Sequence, residues 1–211
     1  MDPIFQNAAT ATPPVVMGLQ LLPFSLGHSI ILEAIEHPAV TGDSALDMDA
    51  LALGVAVCSK DYETGREIFI GNPEIWLNDA PRWARKFRGK KSDWWAAQAN
   101  AWDEYLIDYN TIPEVWEPGA GDGDGEAPPD LAAPWQFHII RALGRDGLLR
   151  GIQYGPTAWD VPLNMAYCLY CTIGEAKDRL DVMTEEDRRA VELLNSDDPE
   201  IQRLLNPAGA E

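Results

Sequence analysis

Apolar positions recur at intervals of three and four residues along much of the chain, and the strict alternation typical of strands is nearly absent. Ser25 precedes the stretch LGHSIILEAIEH, in which this spacing continues until Pro38. Ser25 is a predicted helix N-cap, because its hydroxyl can accept a backbone N–H of the first turn. The pattern predicts a mainly α fold, an irregular bundle of about eight or nine helices.

Other predicted helices begin at short polar residues that precede apolar runs. Such residues satisfy backbone N–H groups that the first turn leaves without partners. Thr184 and Asp187 are expected to form a capping box, with Asp in place of the usual Glu. The remaining predicted caps are Asn72, Ser92 or Asp93, Asp160 and Asp198.

An acidic segment rich in Gly and Pro, EPGAGDGDGEAPPD, interrupts the helical pattern. This composition is typical of a flexible linker or a surface loop. We therefore expect an N-terminal helical domain over residues 1–116 and an acidic linker or loop over 117–133. A C-terminal helical region over 134–211 is expected to pack on or beside the first.

The chain carries 34 acidic and 16 basic residues, a net charge of −18. That charge disfavours nucleic acid and anionic membranes as partners. Six of the basic residues nevertheless lie together in RWARKFRGKK, Arg82 to Lys91. A basic, aromatic segment can bind single-stranded nucleic acid. The overall charge instead favours docking on an acidic surface, either of the same chain or of a partner protein.

Aromatic residues cluster in this basic segment and in the helix predicted after it. Such a cluster can form a platform for sugars or bases, but helical spacing favours a core or a partner interface. The predicted protein-interface residues are Trp83, Phe87, Trp94, Trp95, Trp102 and Tyr105.

Cys168 and Cys171 share the spacing of redox motifs and of half a zinc site. A redox pair needs its first sulfur at a helix N-terminus, whereas Cys168 follows the predicted cap by about two turns. Zinc needs two more ligands, and Cys58 and the three histidines are isolated in sequence. We interpret the pair as part of a helix packed on more than one side, with a zinc or redox protein as the lesser alternative.

No sequence motif of a nucleophile with its base, a phosphate-binding loop or a metalloprotease is present. We therefore expect no enzyme activity, cofactor or metal. The N-terminal stretch MDPIFQNAATATPPVV lacks the basic and apolar regions of a secretory signal. The longest apolar run, Leu51 to Cys58, is too short to span a bilayer. The expected location is the cytoplasm.

The passage LPFSLGHSIILEAIEHPAV, followed by an acidic loop and a helix ending AVCSKDYETG, resembles small tail assembly chaperones of long-tailed bacteriophages. In these proteins a Pro-aromatic-Ser/Thr-Leu-Gly-His opening leads to a helix and then to a Cys-Ser segment. The later passage WDVPLNMAYCLYCTIGEAK is similar to their C-terminal pattern, in which a Trp-Asp-hydrophobic-Pro stretch opens a helix.

The resemblance implies a small, non-enzymatic, helical protein of the host cytoplasm. Such a protein holds an aggregation-prone tail component, the tape measure protein and/or the tail tube protein, during tail morphogenesis. A structural virion component, such as a connector or a tail-completion protein, is the alternative function.

Overall fold

A computed structural model describes residues 3–41, 47–115, 135–145, 156–176 and 181–195. The described residues form ten α-helices: α1 (Pro3–Thr10), α2 (Leu26–Ala34), α3 (Pro38–Thr41), α4 (Met48–Cys58), α5 (Tyr62–Arg66), α6 (Glu74–Ala84), α7 (Ser92–Asn110), α8 (Trp135–Arg145), α9 (Leu163–Glu175) and α10 (Glu185–Leu194). The predicted mainly α fold is confirmed. The acidic segment at 117–133 and the predicted cap at Asp198 lie outside the described residues.

A short hairpin precedes α2 and was not predicted from the sequence. Strands β1 (Val15–Val16) and β2 (Leu19–Gln20) pair antiparallel. Met17 and Gly18 between them have φ angles of 50° and 74°, and two positive φ angles are characteristic of a type I′ turn. Met17 is a rare residue at such a position, and the Gln98 side-chain oxygen accepts its backbone N–H at 2.6 Å. A tertiary contact therefore holds this turn.

The core forms around α2, where six of nine residues are buried. Helices α3, α4 and α5 contact α2, and so does the 3₁₀ turn Ala158–Asp160 that precedes α9. Helix α7 covers α4, β1, α1 and α9 along its length. Helices from both sides of the acidic segment therefore share one core.

Helix α9 is buried on more than one side, as its sequence predicts. Ala166 on its apolar stripe is buried, and so are Cys168 and Cys171 on other faces. Its neighbours are α8, α1 and α7. Within the described part of the chain, no helix is both long and apolar enough to cross a membrane.

The predicted cap at Ser25 and the capping box of Thr184 and Asp187 are confirmed. The cap predictions for α6, α7 and α9 are wrong. The N-caps of these helices are Pro73, Lys91 and Pro162, and none of them makes a side-chain capping bond.

Two of the residues predicted as caps have other roles in the structure. Asn72 closes the π-helical turn Glu67–Gly71, because its N–H donates to the Glu67 carbonyl at 2.7 Å. The Asp160 carboxylate accepts hydrogen bonds from the N–H groups of Tyr62 and Thr157, which lie outside α9.

Candidate protein-binding surface

The segment from Glu67 to Lys91, called the arm below, lies between α5 and α7. It contains the π-helical turn, α6 and the 3₁₀ turn Arg85–Phe87. The main contacts of α6 are with these two turns, and no described side chain of α6 is fully buried. The arm therefore presents much of α6 to solvent.

Four of the six predicted interface residues form one aromatic cluster where the arm meets α7. The ring centroids of Trp83 and Phe87 are 5.3 Å apart, with the rings edge to face. Phe87 stacks on Trp94 at 5.2 Å, and Trp94 meets Trp95 edge to face at 5.0 Å. Phe87 is buried and the three indoles are half-buried, so this cluster anchors the arm.

The cluster continues through two aromatic residues that the sequence analysis did not select. Trp76 lies 5.9 Å from Trp83 between ring centroids, and Phe69 lies 5.6 Å from Trp76. Trp76 precedes Trp83 by seven residues, a spacing that places both on one helix face. From the sequence, this spacing predicts that Trp76 joins Trp83 in the cluster.

The other two predicted interface residues, Trp102 and Tyr105, belong to the core. Their side chains are 0% and 1% exposed. The Tyr105 hydroxyl donates to the Leu22 carbonyl at 2.8 Å. Helix α7 contacts α4 at Trp102, because a Cβ added at Gly54 of α4 would lie 2.8 Å from the Trp102 ring. Both side chains are enclosed by the core, so neither can reach a partner.

All six cationic residues between Arg82 and Lys91 are exposed. Arg82 pairs with Asp79 at 3.7 Å, and among the described residues this is the one ion pair that the six cations make. The Lys90 ammonium lies 5.3 Å from the centroid of the Trp94 ring, within range of a cation–π interaction. Most of this positive charge therefore faces solvent.

The arm also exposes large apolar side chains. Leu77 is 66% exposed, Ile70 is 43% and Ile75 is 37%. At 100° per residue, Ile75 and Leu77 lie on either side of Trp76 on α6. The inward aromatic face of α6 is thus bordered by apolar side chains that contact solvent.

The passages that carry the phage resemblance meet in one junction. The Phe24 carbonyl accepts the Leu163 N–H at 2.7 Å, and the Val161 carbonyl accepts the Leu26 N–H at 3.2 Å. These bonds join the start of α2 to the start of α9. Segments separated by more than 130 residues thus pair through their backbones.

Asp160 joins the segment AVCSKDYETG, the end of the first passage, to the junction. One carboxylate oxygen accepts the Tyr62 N–H at 2.7 Å. The other accepts the N–H and the hydroxyl of Thr157, each at 2.8 Å. The Trp-Asp-x-Pro stretch is therefore structural here, because its acid fixes the start of α5.

His28 lies inside the same junction. Its Nδ1 accepts the Ser25 N–H at 3.1 Å, and its Nε2 donates to the Lys60 carbonyl at 2.7 Å. These partners require the neutral tautomer with the proton on Nε2. Burial lowers the pKa of His28, although the Lys60 carbonyl and the Asp160 charge oppose the shift.

His37 repeats this arrangement at the end of α2. Its Nδ1 accepts the Ala39 N–H at 3.1 Å, and its Nε2 donates to the Ala50 carbonyl at 2.8 Å. Burial lowers its pKa as well. Because the backbone occupies both ring nitrogens of each residue, neither His28 nor His37 can bind a metal or transfer a proton without breaking these bonds.

Cys168 and Cys171 are 4% and 3% exposed. Burial, followed by the charge of Glu175, raises the pKa of the Cys171 thiol. A redox cysteine needs the opposite shift. Within the described ranges, no group of three or more His, Cys, Asp or Glu side chains is placed to hold a metal ion. The geometry of this pair suits packing.

The surface away from the arm includes an acidic depression of about 520 Å³. Its lining residues are Phe5, Glu175, Val182, Met183, Thr184, Glu185 and Glu186. Acidic residues thus surround a partly apolar floor, the reverse of the charge on the arm. A scan of protein-family models and searches of curated proteins and of solved structures found no match to the chain.

Proposed function

We propose that this protein is a non-enzymatic tail assembly chaperone of a long-tailed bacteriophage. It binds the tape measure protein and/or the tail tube protein in the host cytoplasm during tail morphogenesis. The observation that carries the proposal is the arm, a cationic and aromatic segment whose helix packs mainly on its own flanking turns and exposes apolar side chains.

The arm suits transient binding of an aggregation-prone protein. Exposed apolar side chains such as Leu77 offer contact area to a partner. The net charge of −18 keeps the chain itself soluble while that apolar surface is uncovered. Both properties are needed by a protein that holds a partner and later releases it.

The junction shows what the residues behind the phage assignment do in this chain. The two passages that resemble tail assembly chaperones are distant in sequence, yet they bond to each other through their backbones and the Asp160 carboxylate. The motifs behind the phage assignment therefore have a structural role in this chain.

A pull-down tests the proposed function. The full chain, carrying an affinity tag, is used as bait in a lysate of the phage that encodes it, at low and moderate salt. Mass spectrometry should identify the tape measure protein or the tube protein above the level of an untagged control. Recovery of neither protein would refute the proposal.

Purified phage particles separate the chaperone from the virion component considered above. A chaperone is released before the tail is complete, so the chain should be absent from mature particles. Quantitative mass spectrometry of particles should therefore detect no fixed copy number. A constant number of copies per particle would support the virion component instead.

A further inference from the structure

The positive charge of the arm is concentrated in a short stretch. Residues Arg82 to Lys91 carry six cations and no carboxylate, so with a net charge of −18 the rest of the chain carries −24. At physiological salt the Debye length is about 8 Å. A partner in contact with the arm therefore experiences mainly these six cations and the arm's own three carboxylates, Glu67, Glu74 and Asp79, which leave the arm with a net charge of +3.

The cations available to a partner protein are those that form no ion pair or side-chain hydrogen bond within this chain. Among the described residues, Lys86, Arg88 and Lys91 form no ion pair or side-chain hydrogen bond, and all three are exposed. Carboxylates are the complementary groups on a protein partner. The arm thus has unused capacity for acidic side chains.

Apolar side chains on α6 add a second requirement. Leu77 is 66% exposed on the same segment that carries the cations. Burial of such a side chain against apolar groups of a partner is favourable. A purely acidic partner would leave Leu77 in water, so the fitting partner carries both carboxylates and apolar side chains.

Single-stranded nucleic acid fits this surface less well. Base stacking needs open aromatic faces. The rings of Trp83, Phe87, Trp94 and Trp95 contact one another, and Lys90 lies over Trp94. The most exposed large apolar side chain of α6 is that of Leu77, which neither stacks well on bases nor pairs with phosphate.

We infer that the arm is the docking site for an acidic amphipathic segment of the partner protein, with carboxylates over the cations between Arg82 and Lys91 and apolar side chains against α6. This inference rests on the proposed binding function and names the chemistry of the partner segment. The contact pairs acidic groups with Lys86, Arg88 and Lys91.

The probe is a fluorescein-labelled synthetic 20-residue peptide that carries Glu and Leu at amphipathic helical spacing. Its binding to the full chain is followed by fluorescence anisotropy at several salt concentrations. A peptide with every Glu replaced by Gln, a poly-glutamate of equal length and a labelled single-stranded oligo-dT are measured in parallel. The Glu/Leu peptide should bind most tightly, and salt should weaken its binding.

The triple variant K86Q/R88Q/K91Q should bind the Glu/Leu peptide about tenfold more weakly, because it removes three exposed cations that pair with the carboxylates of the peptide. The control K60Q/R141Q/R189Q removes equal charge outside the arm and should bind like the natural chain. The variant L77S should bind the Glu/Leu peptide about fivefold more weakly than the natural chain, and the salt dependence of its binding should be unchanged. Circular dichroism and thermal unfolding verify that all variants fold.

An equal loss of peptide affinity in both triple variants would overturn the inference. Tighter binding of oligo-dT than of the peptide at matched salt would also overturn it.

The pull-down separates this inference from the proposed function. If the natural chain and K86Q/R88Q/K91Q recover the tail protein equally, the arm is not the docking site although the chaperone function stands. If the natural chain recovers no tail protein while the peptide results hold, the proposed function fails and the arm's preference for acidic amphipathic segments remains.

Discussion

The Asp160 carboxylate accepts the backbone N–H of Tyr62 at 2.7 Å, although 98 residues separate the two in sequence. The same carboxylate holds Thr157, so a single buried acid connects the start of α5 to the turn that precedes α9. This bond links α5 to the junction between the starts of α2 and α9.

Asp160→Ala should lower the free energy of unfolding by about 1–3 kcal/mol, because the N–H groups of Tyr62 and Thr157 lose their acceptor. Urea unfolding followed by circular dichroism measures this change. Asp103→Asn, at an exposed position of α7, is the control and should shift stability by no more than about 0.5 kcal/mol. Equal effects of the two substitutions would contradict a structural role for Asp160.

Gly27→Ala should destabilise the protein by about 1–3 kcal/mol through overpacking. An added Cβ would lie 2.5 Å from Cδ2 of the Tyr62 ring. In a Tyr62→Ala background the same change should cost far less, and a double-mutant cycle measures that coupling. Gly71→Ala, whose nearest contact would be the Arg66 carbonyl oxygen at 3.6 Å, is the matched control. Additive effects of G27A and Y62A would disprove the proposed contact.

Stability should decrease as the pH falls below about 6.5. Burial lowers the pKa of His28 and of His37 from their ordinary value of 6.5, so the unfolded chain binds protons that the native chain does not. Their contribution to stability is complete above the unfolded-state pKa and is lost as the pH drops through it, with a limiting slope of about 1.4 kcal/mol per pH unit for His28.

Unfolding free energies of the natural chain and of His28→Asn at pH 7.5, 6.5 and 5.5 test this expectation. The variant should be less stable at pH 7.5, because the bond to the Lys60 carbonyl is lost. It should also lose stability less steeply between pH 6.5 and 5.5. An unchanged slope in the variant would exclude His28 as a source of the pH dependence.

The cysteines should resist modification in the native protein. Cys58, Cys168 and Cys171 are all buried, and burial raises the pKa of the Cys58 and Cys171 thiols. Ellman's reagent should therefore react slowly with the folded chain and should titrate three thiols rapidly after denaturation. Rapid reaction of two thiols in the folded state would instead support the redox alternative.

Trp102→Ala and Leu77→Ser should differ in their effect on the free energy of unfolding, because Trp102 lies in the core and Leu77 lies on the arm. Trp102 is 0% exposed, so its truncation should cost about 3–5 kcal/mol. Leu77 is 66% exposed, and its replacement should change the unfolding free energy by less than about 0.5 kcal/mol. Thermal or urea unfolding measures both effects, and similar losses would mean that α6 is part of the core.

The aromatic residues show how far the sequence could predict the candidate site. Trp83, Phe87, Trp94 and Trp95 were selected from their aromatic character and nearby charge, and the structure brings them together. Trp102 was selected by the same reasoning but lies in the core. Helical spacing identifies a shared face, whereas the packing partner at each point along that face depends on distant segments.

The amino-acid sequence by itself determined most of the helices, α1 and α3 excepted, and the caps at Ser25 and Thr184, because periodicity and capping are interactions within a few turns of one segment. Only the tertiary structure decided that Asp160 fixes α5 rather than capping α9, and that Gln98 holds the turn at Met17. Those contacts join residues more than 80 positions apart, and a local pattern carries no information about which distant group will satisfy a buried polar atom.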